Sequence, residues 1–247
     1  RYLAAQRREA DWRPLSADPD AVYDEVVELD QSTLEPLIAR PHSPDNVVAV
    51  RELVGLSVDQ VCIGSCTNSS VMDLATVAAI LEGRTVHPEL SLTISPGSKQ
   101  ALTMMARSGA LAEMVSAGAR ILEAGCGPCI GMGQAPPSGG ITLRSFNRNF
   151  QGRSGTADAS IYLASAEVCA ATAVKGEISD PRELGGPPRT PMPKAFVVED
   201  NMIVPPLSSA AAAKVAVVRG PNIQPLPTSG PLEDLLQGEL LLVTGDN

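Results

Sequence analysis

Three cysteines in two short motifs have the spacing of a metal site. Cys66 lies in VCIGSCTNSS, where a β-branched run ends and a helical pattern begins, and Cys126 and Cys129 form the CxxC pair of EAGCGPCIGMG. Ligands of α/β proteins bind where strands end, and the following helix N-terminus offers unpaired N–H groups and a positive dipole to an anionic group. Both motifs therefore place sulfurs where one rim of a sheet could hold an inorganic group.

The CGPC core of the second motif also has the form of a redox dithiol. That chemistry is typical of a CxxC near the start of a small domain, whereas this pair lies at mid-chain, follows Gly125 and has Cys66 as a third candidate. A metal site is the preferred hypothesis, and a thioredoxin-like dithiol is the alternative.

The number of cysteines argues for a cluster with one open metal position. Structural zinc takes four protein ligands, usually from two paired motifs, and this chain has one pair. Cys62 lies about 13 Å from Cys66 along the same predicted strand, and Cys169 lies on the apolar stripe of a predicted helix, so both are interpreted as small buried residues. Three thiolates suit an iron–sulfur cluster whose remaining iron is a Lewis acid for adding or removing water on a hydroxy acid.

Two arginines in one loop could bind the carboxylates of such an acid. SFNRNFQGRSG follows a predicted strand and carries Arg148 and Arg153 five positions apart. A guanidinium grips two carboxylate oxygens at once and stays charged. In isolation these would be solvated surface arginines, but beside a rim of three cysteines they predict a carboxylate site.

Other residues that could do acid–base chemistry are not assigned to the site. His42 and His87 lie in proline-flanked stretches and are expected to be exposed loop residues. Ser69, Ser70 and Ser154 are close to the motifs but are not assigned as a catalytic base.

The elements that must position these residues alternate between strands and helices. Apolar runs and helical periodicity alternate from Val47 to about Glu177, which predicts parallel βαβ units with helices covering the sheet. The predicted strands lie near Val61–Gly64, Leu90–Ile94, Ile121 and Ile141–Ser145, and the predicted helices at Val71–Leu81, within Lys99–Ala117 and at Ser165–Val174. We expect a three-layer α/β/α fold with a mainly parallel sheet.

The chain is expected to contain one complete domain and the start of another. Residues 1–45 are predicted to form an approach segment and residues 46–185 the α/β/α domain. Proline and glycine are concentrated after Ile178, so residues 186–231 are predicted to be an extended linker. Residues 232–247 would begin a truncated second domain, with a strand at about Glu239–Gly245.

Composition excludes several classes of partner. The 247 residues are 44% hydrophobic, which argues against a disordered chain. The net charge of -9 argues against a surface that binds nucleic acid or anionic lipid. No run of about 18 apolar residues is free of charge or proline. Five cysteines are too few for a disulfide framework, and with no export signal the expected location is the cytoplasm.

Taken together, the motifs resemble those of the aconitase family. IGSCTNSS at 63–70, CGPCIG at 126–131 and NRNFQGR at 147–153 are similar to that family's signatures in the same order. HSPDN at 42–46 and the final stretch RGPNI…GDN extend the resemblance over essentially the whole chain, the latter as the run into a mobile C-terminal domain.

The resemblance implies roles for residues of all three motifs. A [4Fe-4S] cluster would be bound by Cys66, Cys126 and Cys129. Arg148 and Arg153 match carboxylate-binding arginines, and Asn147 matches an asparagine that lies against the cluster. The implied catalytic serine and histidine–aspartate acids belong to regions outside this chain, so the fragment is expected to be inactive without the missing domains.

The implied activity is the hydro-lyase interconversion of citrate and isocitrate through cis-aconitate. Homoaconitate, 2-methylcitrate and 3-isopropylmalate dehydratases are alternatives. The form of CGPCIG and the long connector favour aconitate hydratase over the isopropylmalate enzyme. A cluster-free RNA-binding role is an alternative of a different class, and the acidic composition gives it little support.

Overall fold

The computed structural model describes residues 1–244 and divides the chain into two units. The first unit spans residues 1–200, and the second begins at residue 201. No helix in the described part of the chain is both long enough and apolar enough to cross a membrane.

The first unit is built on a mainly parallel sheet of seven strands. The strands are β1 Leu37–Ala39, β2 Val47–Ala49, β3 Gln60–Gly64, β4 Ser91–Ser95, β5 Arg120–Ile121, β6 Ile141–Arg144 and β7 Ser160–Ala164. Their order across the sheet is β2-β1-β7-β6-β3-β4-β5. Strands β3 to β7 run parallel to one another, whereas β1 pairs antiparallel with both β2 and β7. The carboxyl ends of the five parallel strands therefore meet at one edge.

Helices connect β3 to β4 and β4 to β5, as the alternating pattern predicts, whereas β5 is joined to β6 through a short 3-10 helix and β6 to β7 by a loop. The helices of this unit are α1 Tyr2–Ala5, α2 Val71–Leu81, α3 Lys99–Ser108, α4 Ala110–Ser116 and α5 Ala166–Lys175. The main hydrophobic core includes buried side chains of α2 to α5 and of the central strands, and a smaller cluster unites Cys62, Cys129 and Phe146. The predicted α/β/α class with a mainly parallel sheet is confirmed.

Local capping explains where the central helices begin. The Ser70 hydroxyl accepts a hydrogen bond from the Asp73 amide at 3.2 Å, and the Asp73 carboxylate accepts one from the Ser70 amide at 2.9 Å. This reciprocal capping satisfies amide groups that have no partner within the helix. Ser165 caps α5 in the same position, and Gly176 ends it at a φ of 82°. The predicted helices at these positions are confirmed.

Three strands were not predicted from the sequence. Strands β1 and β2 have three residues each, and β1 lies within the predicted approach segment. Strand β7 has five residues and is paired on both sides, with β6 and β1. Short strands lack a long alternating pattern, so their pairing with distant partners determines them.

The proline- and glycine-rich stretch after Ile178 begins as part of the first unit. Pro181–Leu184 forms a short 3-10 helix, and Phe196 is buried. The Phe196 amide donates to the Ala5 carbonyl at 3.0 Å, and its ring contacts the Tyr2 ring edge-on.

The second unit has little regular structure in its described residues. It contains one short helix, α6 Ser209–Ala212, and its side chains are almost all exposed. No strand forms in the described part of the predicted Glu239–Gly245 strand, whose last residue lies outside the described residues.

Candidate metal centre

All three motifs lie at the carboxyl edge of the parallel sheet. The loop with Cys66 follows β3, the Cys126–Cys129 turn follows β5, and the loop with Arg148 and Arg153 follows β6. The chain leaves β3 toward β4 and β5 and later returns to β6 on the other side of β3. Such a reversal of strand order opens a crevice where α/β proteins bind ligands.

Backbone packing shapes the loop that carries Cys66. Gly64 has a φ of 127°, and a side chain there would overlap the main chain of Ser95. Ser65 has a φ of 86°, and its hydroxyl accepts a hydrogen bond from the Thr67 amide at 3.2 Å. Cys66 itself is exposed, with its sulfur 3.7 Å from the Thr67 hydroxyl. The close strand packing thus turns the cysteine toward the crevice side of the chain rather than the core.

The CxxC pair lies in one short turn. Gly127–Ile130 forms a 3-10 helix that ends at Gly131, whose φ is 87°. The Cys129 amide donates to the Cys126 carbonyl at 3.2 Å. Cys126 is exposed, whereas Cys129 is 8% exposed. The turn therefore presents one sulfur at the surface and holds the other within the protein.

Ser95, at the end of β4, connects the two cysteine loops. Its carbonyl accepts a hydrogen bond from the Ser69 hydroxyl at 2.7 Å, three residues after Cys66. Its own hydroxyl donates to the Glu123 carbonyl at 3.0 Å, in the segment that leads to Cys126. One residue thus links the loops after β3 and β5.

The loop after β6 reaches both cysteine loops. The Asn147 amide donates to the Thr67 hydroxyl at 3.4 Å, next to Cys66. The Arg153 Nη2 atom donates to the Cys129 sulfur at 3.5 Å. The structure thus joins Asn147 and Arg153 to the cysteine loops, as a shared site requires.

The two predicted arginines differ in their surroundings. Arg153 is half-buried, and its Nε group is buried with no hydrogen-bond partner among the described residues. Arg148 is exposed, and no hydrogen bond or ion pair joins it to the described residues. A buried donor without a partner is costly unless a bound acceptor completes it.

Asn149 lies within the third motif but was not singled out by the sequence analysis. It is fully buried, and its amide nitrogen donates to the carbonyls of Arg40 at 2.8 Å and Ile161 at 3.2 Å. Asn149 thereby ties the arginine loop to the loop that contains HSPDN. Its place within NRNFQGR was the only sequence signal for this role.

Arg144, the last residue of β6, was also missed. Its side chain is completely buried and donates hydrogen bonds to four acceptors, two of them carbonyls around the cysteine turn. Burial lowers the pKa of its guanidinium, and the sulfurs of Cys62 and Cys129 oppose that shift. The signal in the sequence was a charged residue near the end of an apolar strand, which is expected to be buried.

The remaining cysteines lie in the interior, as interpreted from the sequence. Cys62 is 1% exposed and Cys169 is fully buried. Burial raises the pKa of both thiols, well above the ordinary value for Cys169. The interpretation of both as small buried residues is confirmed.

The histidines and serines near the motifs have mainly structural contacts. His42 is exposed as expected, whereas the expectation for His87 was wrong, because it is half-buried and packs against Gly176. Ser70 caps α2, and the buried Ser154 hydroxyl donates to the Cys129 carbonyl at 3.5 Å.

Three cysteines are the kind of donor set that iron–sulfur clusters use. Within residues 1–244, no group of three or more His, Cys, Asp or Glu side chains is arranged to hold one metal ion. Thiolates of an iron–sulfur cluster bind different irons and need not meet at one point. Two exposed sulfurs and a third beside an arginine with an unpartnered donor fit such a group.

The fold and the site together define a class of protein. It is a three-layer α/β/α protein that presents three cysteines, an asparagine and two arginines at the carboxyl edge of a parallel sheet. The family model described as "Aconitase family (aconitate hydratase)" matches residues 2–56 and 51–176. The chain belongs to the aconitase family.

Curated relatives are similar over the same region. The chain is 42% identical over 184 residues to the 3-isopropylmalate dehydratase large subunit 2 of Archaeoglobus fulgidus, covering 74% of this chain and 44% of the relative. It is 44% identical over 184 residues to the 3-isopropylmalate dehydratase large subunit 1 of Thermotoga maritima, covering 73% and 44%. It is 47% identical over 179 residues to the homoaconitase large subunit of Thermus thermophilus, covering 72% and 42%.

These relatives correct one expectation and set the extent of the match. The chain spans about 44% of the length of the first two relatives. Their names do not support the preference for aconitate hydratase over 3-isopropylmalate dehydratase. That preference depended on the form of CGPCIG and on the long connector.

Proposed function

We propose that this chain is the cluster-binding part of an iron–sulfur hydro-lyase that acts on a hydroxy acid of the 3-isopropylmalate class. The observation that carries the proposal is the contact between Arg153 and Cys129, at 3.5 Å, with a buried Arg153 donor left without a partner. It joins a carboxylate-binding group to a metal-binding group in one crevice. Membership of the aconitase family supports the same chemistry.

The cofactor we propose is a [4Fe-4S] cluster bound by Cys66, Cys126 and Cys129. When bound, such a cluster supplies an iron without a cysteine ligand, a Lewis acid for the hydroxyl that leaves or adds. The protein's part is to hold three thiolates at one edge and leave the crevice side open. The exposed position of Cys66 and Cys126 supports this arrangement.

The arginine loop would bind and orient the acid. Arg153 offers its unpartnered Nε group to a carboxylate oxygen beside Cys129, and Arg148 offers a free guanidinium at the surface of the same loop. Asn147, which donates to Thr67, would keep the loop against the Cys66 loop. Holding two carboxylates would fix the orientation of the acid in the crevice.

The names of the relatives favour 3-isopropylmalate as the substrate. A homoaconitase at 47% identity makes the homoaconitate reaction the second candidate. Citrate, which the motifs suggested first, is the third acid to test. The three acids share two carboxylates near a hydroxyl and differ in their remaining arm, so Arg148 and Arg153 would serve all of them.

Turnover would need parts that lie outside this chain. We propose that the proton-abstracting serine and the histidine–aspartate acids belong to the missing domains of the same protein or to a second subunit, as the name "large subunit" of the relatives suggests. Residues 186–231 would then contain the linker, and residues 232–247 would start the next domain.

Anaerobic cluster reconstitution followed by titration with each acid tests the proposal. We expect 3-isopropylmalate to change the electron paramagnetic resonance signal of the reduced cluster. Arg153→Gln should weaken this binding about 10- to 100-fold, because one charge-assisted interaction contributes about 1.5–3 kcal/mol. Arg107→Gln, which removes an exposed arginine paired with Glu199, is the matched control and should leave binding unchanged. If no acid changes the signal, or if both variants bind equally, the proposal is wrong.

A further inference from the structure

Arg144 carries a full positive charge into the protein interior without a carboxylate partner. Its side chain is 0% exposed. It donates to the Thr142 hydroxyl at 3.2 Å, the Gln60 amide oxygen at 2.7 Å, and the carbonyls of Pro128 at 2.6 Å and Gln134 at 3.0 Å. All four acceptors are neutral, and none of the ion pairs found in residues 1–244 includes Arg144.

Neutral acceptors satisfy the hydrogen bonds of a guanidinium but do not balance its charge. A buried charge is strongly unfavourable unless an opposite charge lies nearby. The face of the Phe146 ring, 5.5 Å from the guanidinium carbon, contributes a weak cation–π attraction. The arrangement therefore requires an anionic group close to Arg144 that is not an Asp or Glu side chain.

The position of Arg144 indicates which anionic group would balance its charge. Pro128, whose carbonyl accepts from Nη1, lies between Cys126 and Cys129 in the CxxC turn. Gln134, whose carbonyl accepts from Nη2, lies just after the same turn. The guanidinium thus holds both sides of the turn, and the sulfurs of Cys62 and Cys129 lie close enough to favour its charged form.

Resting on the proposed function, we propose that Arg144 is the buried counter-charge of the anionic cysteine-bound cluster and the positioning residue of the Cys126–Cys129 turn. Three thiolates outweigh the positive charge of a cluster core, so the bound group is negative as a whole. Its presence offsets the cost of the buried guanidinium, and the guanidinium in turn favours the more negative, reduced state of the cluster.

The test adds a competing carboxylate next to Arg144. Gln60 is 3% exposed, and its amide oxygen accepts from Arg144, from the Thr142 hydroxyl at 2.9 Å and from the Cys62 thiol at 3.4 Å. Gln60→Glu keeps the size of the side chain and gives Arg144 an internal partner. Gln60→Met is the matched control, because it removes the same hydrogen bonds, including the one to the Ala135 carbonyl, without adding charge.

The measurements are the midpoint potential of the reconstituted cluster, its rate of iron loss to a chelator, and the thermal unfolding of the cluster-free chain. With Gln60→Glu we expect a more negative potential and about 10-fold faster iron loss, the usual scale for a residue behind a metal ligand. Gln60→Met should keep the wild-type potential. Arg144→Lys should unfold at a lower temperature, because a lysine lacks the forked guanidinium that donates these hydrogen bonds. It should keep a midpoint potential near that of the wild type, because it keeps the charge.

A purely structural role for Arg144 predicts a different pattern. In that case Arg144→Gln, which removes the positive charge, would keep the wild-type midpoint potential, and the counter-charge proposal would be overturned. Equal potentials of Gln60→Glu and Gln60→Met would overturn it as well, so the test stays decisive even if the Arg144 variants fail to fold. Failure of the proposed function is a separate result, because then the wild-type chain itself would take up no cluster.

Discussion

At the scale of single residues, Cys129 differs from the other two predicted ligands because its sulfur lies inside the protein. It is 8% exposed, contacts Arg153 and belongs to the small buried cluster with Cys62 and Phe146. Arg153 donates to this sulfur, and Arg144 donates to the Pro128 carbonyl in the same turn. We therefore expect the loss of Cys129 to lower cluster retention more than the loss of Cys66 or Cys126.

Replacement of Cys129 separates a ligand from a packing cysteine. We expect Cys129→Ser to abolish cluster retention, because a hydroxyl is a poor ligand for iron in a cluster. Cys169→Ala, in the core at 0% exposure, should keep the cluster and lose about 1 kcal/mol of stability. Iron and sulfide content and thermal unfolding measure the two effects. Equal iron loss in both variants would contradict the assignment of Cys129.

At the scale of elements, the turn after β5 and the loop after β6 touch through their main chains. A side chain at Gly131 would overlap the main-chain carbonyl of Ser154. Both atoms that would collide belong to or are attached to the backbone, which cannot shift easily. Gly133, two residues later, also has a positive φ, 70°, but has open space around it. The glycine at position 131 thus keeps the cysteine turn against the arginine loop.

These two glycines make a matched pair for mutation. Both Gly131→Ala and Gly133→Ala place a side chain at a positive φ, which costs about 1–2 kcal/mol. Only Gly131→Ala should also move the turn away from the arginine loop and lower cluster retention. Unfolding temperature and iron content are the readouts. Similar iron content in both variants would show that the contact with Ser154 does not matter for the site.

At the scale of the whole molecule, the first unit ends later than the composition suggests. The proline- and glycine-rich segment begins shortly after Ile178, yet Phe196 is 7% exposed and the Arg107–Glu199 ion pair measures 2.6 Å. The Gln100 side chain also donates to the carbonyl of Val197. These contacts make residues up to 200 part of the packed unit, whereas the described residues beyond it are mostly exposed.

Two truncations test this boundary. We expect a chain of residues 1–200 to unfold at the temperature of the full chain, because it keeps the packed unit. A chain of residues 1–185 should lose about 3–5 kcal/mol, the usual cost of removing a buried Phe, and unfold earlier. Thermal unfolding followed by circular dichroism compares them. Equal stability of the two truncations would place the end of the domain before residue 186.

The sequence by itself determined the class of fold and predicted the cysteines and arginines of the proposed site. Helices α2 and α5 begin at capping serines, and β3, β4 and β6 are apolar runs, so local pattern was sufficient for each. The three motifs follow predicted strand ends, which was enough to expect them at one edge. These features depend on interactions between residues close in the chain.

Only the tertiary structure decided how the site is completed. Three contacts join residues that are 16 to 109 positions apart: Arg144 with Pro128, Arg153 with Cys129, and Asn149 with Arg40. Strand β1 likewise forms because it pairs with β7, and β2 forms because it pairs with β1. Such contacts are selected by packing between distant segments, and no local periodicity records them.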